Sequence, residues 1–148
     1  LLQSYNYRDG LFFINHGVLT FDTTQILENA TITSVKLCLW GSLNYMGRHF
    51  RIRVQNWTGG VDLSSADFTR YSATFYDVGN FTTESWTNGG YNEVKLTDFS
   101  IIKKEGYTCL MLRNEREVQK KEPVGSEMVY VDSSDHKPKL VIKYENRD

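Results

Sequence analysis

The sequence predicts an all-β domain: a two-sheet antiparallel sandwich of jelly-roll type with one short helical turn. Two segments carry that expectation. Lys137-Pro138-Lys139-Leu140-Val141-Ile142-Lys143-Tyr144 and Ala30-Thr31-Ile32-Thr33-Ser34-Val35-Lys36-Leu37-Cys38-Leu39-Trp40 alternate apolar and polar residues, the period of a half-buried strand. The third observation is that almost no stretch repeats its apolar residues at helical spacing.

The elements follow in chain order. Leu1 to Gly10 reads as an extended arm or a first strand, with Tyr5 and Tyr7 on one face and no turn signal before Asp9-Gly10. Strands are expected at Leu11–Ile14, Gly17–Asp22, Thr31–Trp40, Phe50–Gln55 and Thr74–Val78, then at Tyr91–Leu96, Thr108–Arg113, Glu127–Asp132 and Lys139–Tyr144. Asn15-His16-Gly17, Thr58-Gly59-Gly60, Asn88-Gly89-Gly90 and Ser133-Ser134-Asp135 supply turn chemistry between them. Asp98 can cap a helical turn over Phe99-Ser100-Ile101-Ile102-Lys103-Lys104, closed by Gly106. The polar run Glu115 to Glu122 reads as a short helix or a solvated loop. On the apolar phase of their strands, Leu37, Leu39, Leu110, Leu112, Leu140 and Ile142 point between the sheets.

At 148 residues the chain fits a single domain, 1–148, large enough for its own core. Seventeen basic against eighteen acidic residues leave no nucleic-acid footprint, and no apolar run is long enough for a membrane-spanning helix. The start at Leu1, without Met or a signal region, reads as a mature or excised piece of a longer product. Aromatic residues make up 14%, which suits strand cores and also sugar platforms.

Cys38 shares a face with Lys36 and Trp40, and Cys109 with Tyr107 and Met111. A disulfide between them is expected only if their strands are neighbours; otherwise they are small buried hydrophobes. Three sequons, at Asn29, Asn56 and Asn80, fall at expected turns or strand edges and favour an exported glycoprotein, extracellular or on a cell or virion surface.

The order of Leu19-Thr20-Phe21-Asp22-Thr23-Thr24, Ala30-Thr31-Ile32-Thr33-Ser34-Val35-Lys36-Leu37, Tyr91-Asn92-Glu93-Val94-Lys95-Leu96 and Pro138-Lys139-Leu140-Val141-Ile142 resembles the disaggregatase-related (DNRLRE) repeat family over Gly17 to Tyr144. The resemblance implies a carbohydrate-binding-module-like sandwich appended to extracellular enzymes or surface proteins, with no shared catalytic constellation. Only sixteen residues precede Gly17, so a missing or donated first strand is one expectation. Modules of this kind often hold a structural calcium. Asp22, Asp132, Ser133 and Asp135 are the local candidates, against a simple reading of Ser133-Ser134-Asp135 as a self-satisfied turn.

For ligand binding, Trp57 in Asn56-Trp57-Thr58-Gly59-Gly60 is either an exposed sugar platform or a lid folded back on the sandwich. Tyr45 is a second loop aromatic, with Asn44, Arg48 and Asp62 available for sugar hydroxyls. Trp40 can form a sheet-face platform, though a structural role is favoured for it and for Trp86. No nucleophile, metal or phosphate motif is present, His16, His49 and His136 are scattered among turns, and Glu115/Glu117 and Asp132/Asp135 are paired only along the chain.

The sequence therefore leads to a non-catalytic extracellular or cell-surface module that recognises glycan or another surface. The alternative is a structural subunit of a filament, sheath or virion-like assembly, a homo-oligomer built by strand-edge pairing.

Overall fold

The computed structural model describes residues 2–8, 11–42, 48–58, 76–122 and 126–147. Among these residues ten strands run in the order β1 (Leu2–Arg8), β2 (Leu11–Asn15), β3 (Gly17–Asp22), β4 (Thr31–Trp40), β5 (Arg51–Asn56), β6 (Asp77–Thr82), β7 (Tyr91–Lys95), β8 (Tyr107–Asn114), β9 (Glu127–Tyr130) and β10 (Lys139–Glu145). One short helix, α1 (Glu115–Val118), and two 3-10 turns complete the described elements. A four-stranded sheet, β3-β8-β5-β6, faces a three-stranded sheet, β10-β4-β7, and all pairings are antiparallel. The chain is an all-β sandwich.

Alternation decides the layers. Leu37 and Leu39 from β4, with Leu110 and Leu112 from β8, lie on the inward phase and are fully buried. They join Val35, Ile52, Val54, Val78, Val94 and Val129 in one apolar cluster, each large side chain contributing about 1.5–3 kcal/mol by leaving water. Leu140 and Ile142 on β10 also point inward but stay half-buried, because among the described residues β10 is an edge strand paired on one side, with β4.

A third sheet, β2-β1-β9, extends the sandwich at one end. His16 alone separates β2 from β3, so one extended run serves two sheets. The end of β9 is knitted to the end of β4 by Ser42 N–H donating to Tyr130 O at 3.1 Å and Asp132 N–H donating to Trp40 O at 2.9 Å.

Of the two expectations for the amino-terminal segment, an extended arm or a first strand, the first strand is what forms. Rather than an arm for a neighbouring subunit, Leu2–Arg8 is a strand paired on both sides within its own chain, with β2 and with β9. Its backbone donors and acceptors thereby find partners locally.

Other elements differ in extent. The strand expected over Thr74–Val78 lies instead at Asp77–Thr82, while Thr74 and Phe75 fall outside the described residues. Gly79 and Asn80 read locally as a strand end, yet Gly79 is buried in β6 where a Cβ would come within 2.9 Å of Leu96 Cδ2. Glycine is there for a close approach of neighbouring chain. The helical turn capped by Asp98 is a single 3-10 turn, Phe99–Ile101, with Ser100 N–H donating to the Asp98 carboxylate at 2.9 Å.

Candidate functional site

A cleft of 730 Å³ opens where the end of β5 and the start of β8 meet the turns after β3 and before β8. Trp57, which follows β5, forms part of its lining, and its N–H donates to Cys109 O at 3.2 Å. That bond extends the β5–β8 ladder by one residue and sets Trp57 beside Cys109 on the outer face of the four-stranded sheet. The indole is only 6% exposed. Of the two expectations for Trp57, an exposed sugar platform is set aside and burial against the sandwich holds: removing a large apolar ring from water outweighs its polar, glycine-flanked sequence context.

The exposed aromatics of the cleft are others. Tyr76 is 45% exposed and Tyr107 is 52% exposed. Asn56 ties Tyr76 in place, since its Oδ1 accepts from Tyr76 N–H at 2.9 Å while Asn56 N–H donates to Tyr76 O at 3.3 Å. Tyr107 opens β8 on the same outward phase as Cys109. Sequence alternation had paired Tyr107 with Cys109; Tyr76, just ahead of its strand, carried no such signal.

The opposite wall is the turn Lys103–Gly106. The buried Thr23 hydroxyl lies 2.7 Å from Lys103 O and 2.9 Å from Gly106 O, and Lys103 N–H donates to the buried Thr108 hydroxyl at 2.9 Å. Glu105 N–H donates to Ile26 O at 3.0 Å, holding Glu105 at φ 53° in the left-handed region. Backbone anchored at so many points presents the Lys103 and Glu105 side chains on a fixed rim. Chemically, the cleft offers two half-exposed rings, an amide, a cation and a carboxylate. That set fits a polar ligand with apolar faces.

The remaining expected ligand residues do not gather here. Arg48 is exposed and its N–H donates to Ser126 O at 2.8 Å, outside the cleft lining. Asn44, Tyr45 and Asp62 lie outside the described residues. Trp40 does not present a free face either: the His136 ring stacks on it at 3.8 Å, and Tyr91 meets its edge at 5.1 Å.

The acidic candidates are committed to local structure. Asp22 accepts from Thr24 N–H and Oγ1–H, bonds that hold its carboxyl below the usual range. Asp132 accepts from Ser134 N–H at 2.8 Å and Ser134 Oγ–H at 2.9 Å, and its other oxygen bonds His136; its carboxyl is strongly lowered, first by the Ser134 N–H. Asp135 is exposed in that turn. Among the described residues no three His, Cys, Asp or Glu side chains cluster as a metal site, and the turn reading accounts for Ser133-Ser134-Asp135.

Glu115 and Glu117 are held by arginines. Glu115 pairs with Arg53, and Glu117 Oε1 accepts from Arg113 at 2.9 Å and from His16 at 2.8 Å. Glu127, 1% exposed, accepts from Asn114 Nδ2 at 2.9 Å and Arg116 Nε at 3.0 Å. These buried pairs fasten α1 and β9 onto β8, with Asn114 Oδ1 accepting from Arg116 N–H to start the helix.

The cysteines are free. Cys38 sits on the outer side of β4 in the three-stranded sheet and Cys109 on the outer side of β8 in the four-stranded sheet. Their strands are in different sheets, so the expected bridge is corrected: the thickness of the sandwich, about 10 Å between sheets, separates them. Burial first, then Glu93, pushes the Cys38 thiol up.

Of the sequon residues, Asn80 is exposed and accepts from Arg51 at 2.5 Å, Asn29 is exposed and donates to Arg147 O at 2.5 Å, and Asn56 is half-buried in the cleft wall. Comparison of the chain with family models, with curated proteins and with solved structures returned no match to any of them.

Proposed function

We propose that the chain is a non-catalytic glycan-binding module that works outside the cell or on a surface, and that the saccharide lies in the cleft between Tyr76, Tyr107 and the Lys103–Gly106 rim. The observation carrying this reading is the pair of half-exposed tyrosines on a tethered, mixed-polarity cleft of 730 Å³. Tyrosine rings stack on the apolar faces of sugars, while Asn56, Lys103 and Glu105 stand ready for hydroxyls. The three sequons support export, and the resemblance to disaggregatase-related repeats supports a carbohydrate ligand. Commitment of Glu115 and Glu117 to arginine and histidine favours binding over hydrolysis.

The test is a glycan array followed by titration calorimetry, on protein made without N-glycosylation so that Asn56 is bare. Tyr76→Ala and Tyr107→Ala should each weaken binding about ten-fold, as loss of one stacking partner does, with the thermal midpoint unchanged. Full affinity in the double variant, or no glycan bound by the parent chain, would overturn the reading.

A second reading, a subunit assembling by strand-edge pairing, is favoured by one observation. Among the described residues, β10 closes its sheet with one neighbour, β4.

A further inference from the structure

The inward side chains of β10 are less covered than those of the strands beside it. Leu140 and Ile142 are half-buried and Tyr144 is 36% exposed, whereas Leu37 and Leu39 on adjacent β4 are fully buried. Together with Phe21 and Ile26, the three β10 side chains line a slot of 190 Å³ between the β3 and β10 edges, and among the described residues no strand pairs with the far side of β10. A strand added beside β10 would pair its open backbone and cover that row.

The sequence of β10 says which strand fits. Lys139-Leu140-Val141-Ile142-Lys143-Tyr144-Glu145 is self-complementary when laid antiparallel on itself about Ile142. Lys139 of one copy then stands opposite Glu145 of the other, twice by symmetry. Leu140 faces Tyr144 and Ile142 faces Ile142, so the inward row is apolar throughout. The two neighbouring registers fail on charge, and one centred on Tyr144, which sets Lys143 opposite Glu145, aligns only the last three residues of the strand. Centring on Val141 sets Lys139 opposite Lys143, and centring on Lys143 sets two lysines face to face, arrangements that disfavour pairing. Only the Ile142 register uses all seven residues of the strand.

We propose that β10 is a homotypic edge: two copies of this chain pair β10 with β10, antiparallel and centred on Ile142, fusing their three-stranded sheets into one continuous sheet. This deepens the assembly reading given above and rests on it, independently of the glycan cleft. The interface is isologous, because one two-fold axis places the same patch on both copies.

Sedimentation velocity and light scattering over a wide concentration range test it. The parent chain should dimerise reversibly. K139E alone and E145K alone each replace two attractive cross-strand pairs by two repulsive ones, and each should weaken the dimer at least about ten-fold. The K139E/E145K double variant restores opposite charges in the same register and should recover the parent's dimer affinity. Lys139 and Glu145 are both exposed, and because Lys139 Nζ also lies 4.5 Å over the Tyr91 ring of its own sheet, a thermal melt of each variant separates lost stability from lost pairing. Under mild oxidation Ile142→Cys should cross-link between copies, since opposite Cβ atoms lie about 4.5–5.5 Å apart, while Val141→Cys should not. Preferential cross-linking of Val141→Cys, or single variants that dimerise like the parent, would overturn the β10 register and leave assembly to another surface. A parent chain that stays monomeric at every concentration would overturn both the register and the assembly reading.

Discussion

Replacing Gly41 by alanine should destabilise the sandwich severely, and the cost can be worked from its surroundings. Gly41 follows β4 at the junction where β9 and the turn before β7 meet, bridged to Asn88 and to Val131. A Cβ there would stand 2.3 Å from Thr87 O and 2.7 Å from Trp86 Nε1. The first contact is about 1 Å inside a close carbon–oxygen approach and involves backbone that cannot rotate away. The second involves a ring buried to 9% exposure and stacked on Phe81 at 5.7 Å. Relief requires the turn to move off, which strains Gly41 N–H to Gly90 O at 3.1 Å and Gly89 N–H to Gly41 O at 2.8 Å. Overpacking plus two weakened backbone bonds comes to about 2–6 kcal/mol. Urea unfolding of Gly41→Ala measures it, with Gly90→Ala as the control. A Cβ at Gly90 meets only Thr87 Cγ2 at 3.4 Å, so that variant should stay within about 0.5 kcal/mol of the parent. A Gly41→Ala protein within about 1 kcal/mol of the parent would refute the packing argument.

Core truncations should separate the centre of the sandwich from its open side: Leu112→Ala costs about 2–5 kcal/mol, while half-buried Leu140→Ala costs less, and equal losses in denaturant melts would count against the edge assignment of β10. Trp57→Ala should lower stability by about 3–5 kcal/mol, because the indole is buried; a thermal midpoint unchanged by that substitution would return Trp57 to the solvent. For Glu117, burial by itself would raise the carboxyl pKa, but hydrogen bonds from His16 and Arg113 outweigh it and hold the group below its ordinary 4.5. A depressed folded-state pKa contributes stability above the unfolded value and loses it as pH falls through the folded one. Glu117→Gln should therefore flatten the decline of stability below about pH 4.5, and an unchanged acid limb in pH-dependent melts would contradict the pairing.

Strand identity was legible because alternation is a local property. β3 and β4 lie where the period-two runs place them, and the four fully buried leucines sit on the phase read from the sequence. So was the cap at Asp98, a bond between residues two positions apart. The limits appear where a residue's fate depends on distant chain. β1 had no local turn to fold it back, and only the presence of β2 on one side and β9 on the other makes it an internal strand. Gly79 read as a boundary because its reason for being glycine, the approach of Leu96, comes from another segment.

The candidate site divides in the same way. Composition showed an aromatic-rich chain, and alternation put Tyr107 beside Cys109, but neither indicated that Tyr76 and Tyr107 would rim one cleft. Nor did either decide whether Trp57, between polar and glycine residues, would be exposed or buried beside Cys109. The placement of Cys38 and Cys109 was likewise undecidable from a strand's own pattern: alternation gives the side of a strand on which a thiol lies, not the sheet that strand joins. By itself, the sequence determined strand period, phase, charge balance and turn chemistry, all set by neighbours a few residues away. Tertiary structure decided which strands pair, which sheet each strand joins and which aromatics meet across a cleft, because each of those depends on chain brought together from tens of residues apart.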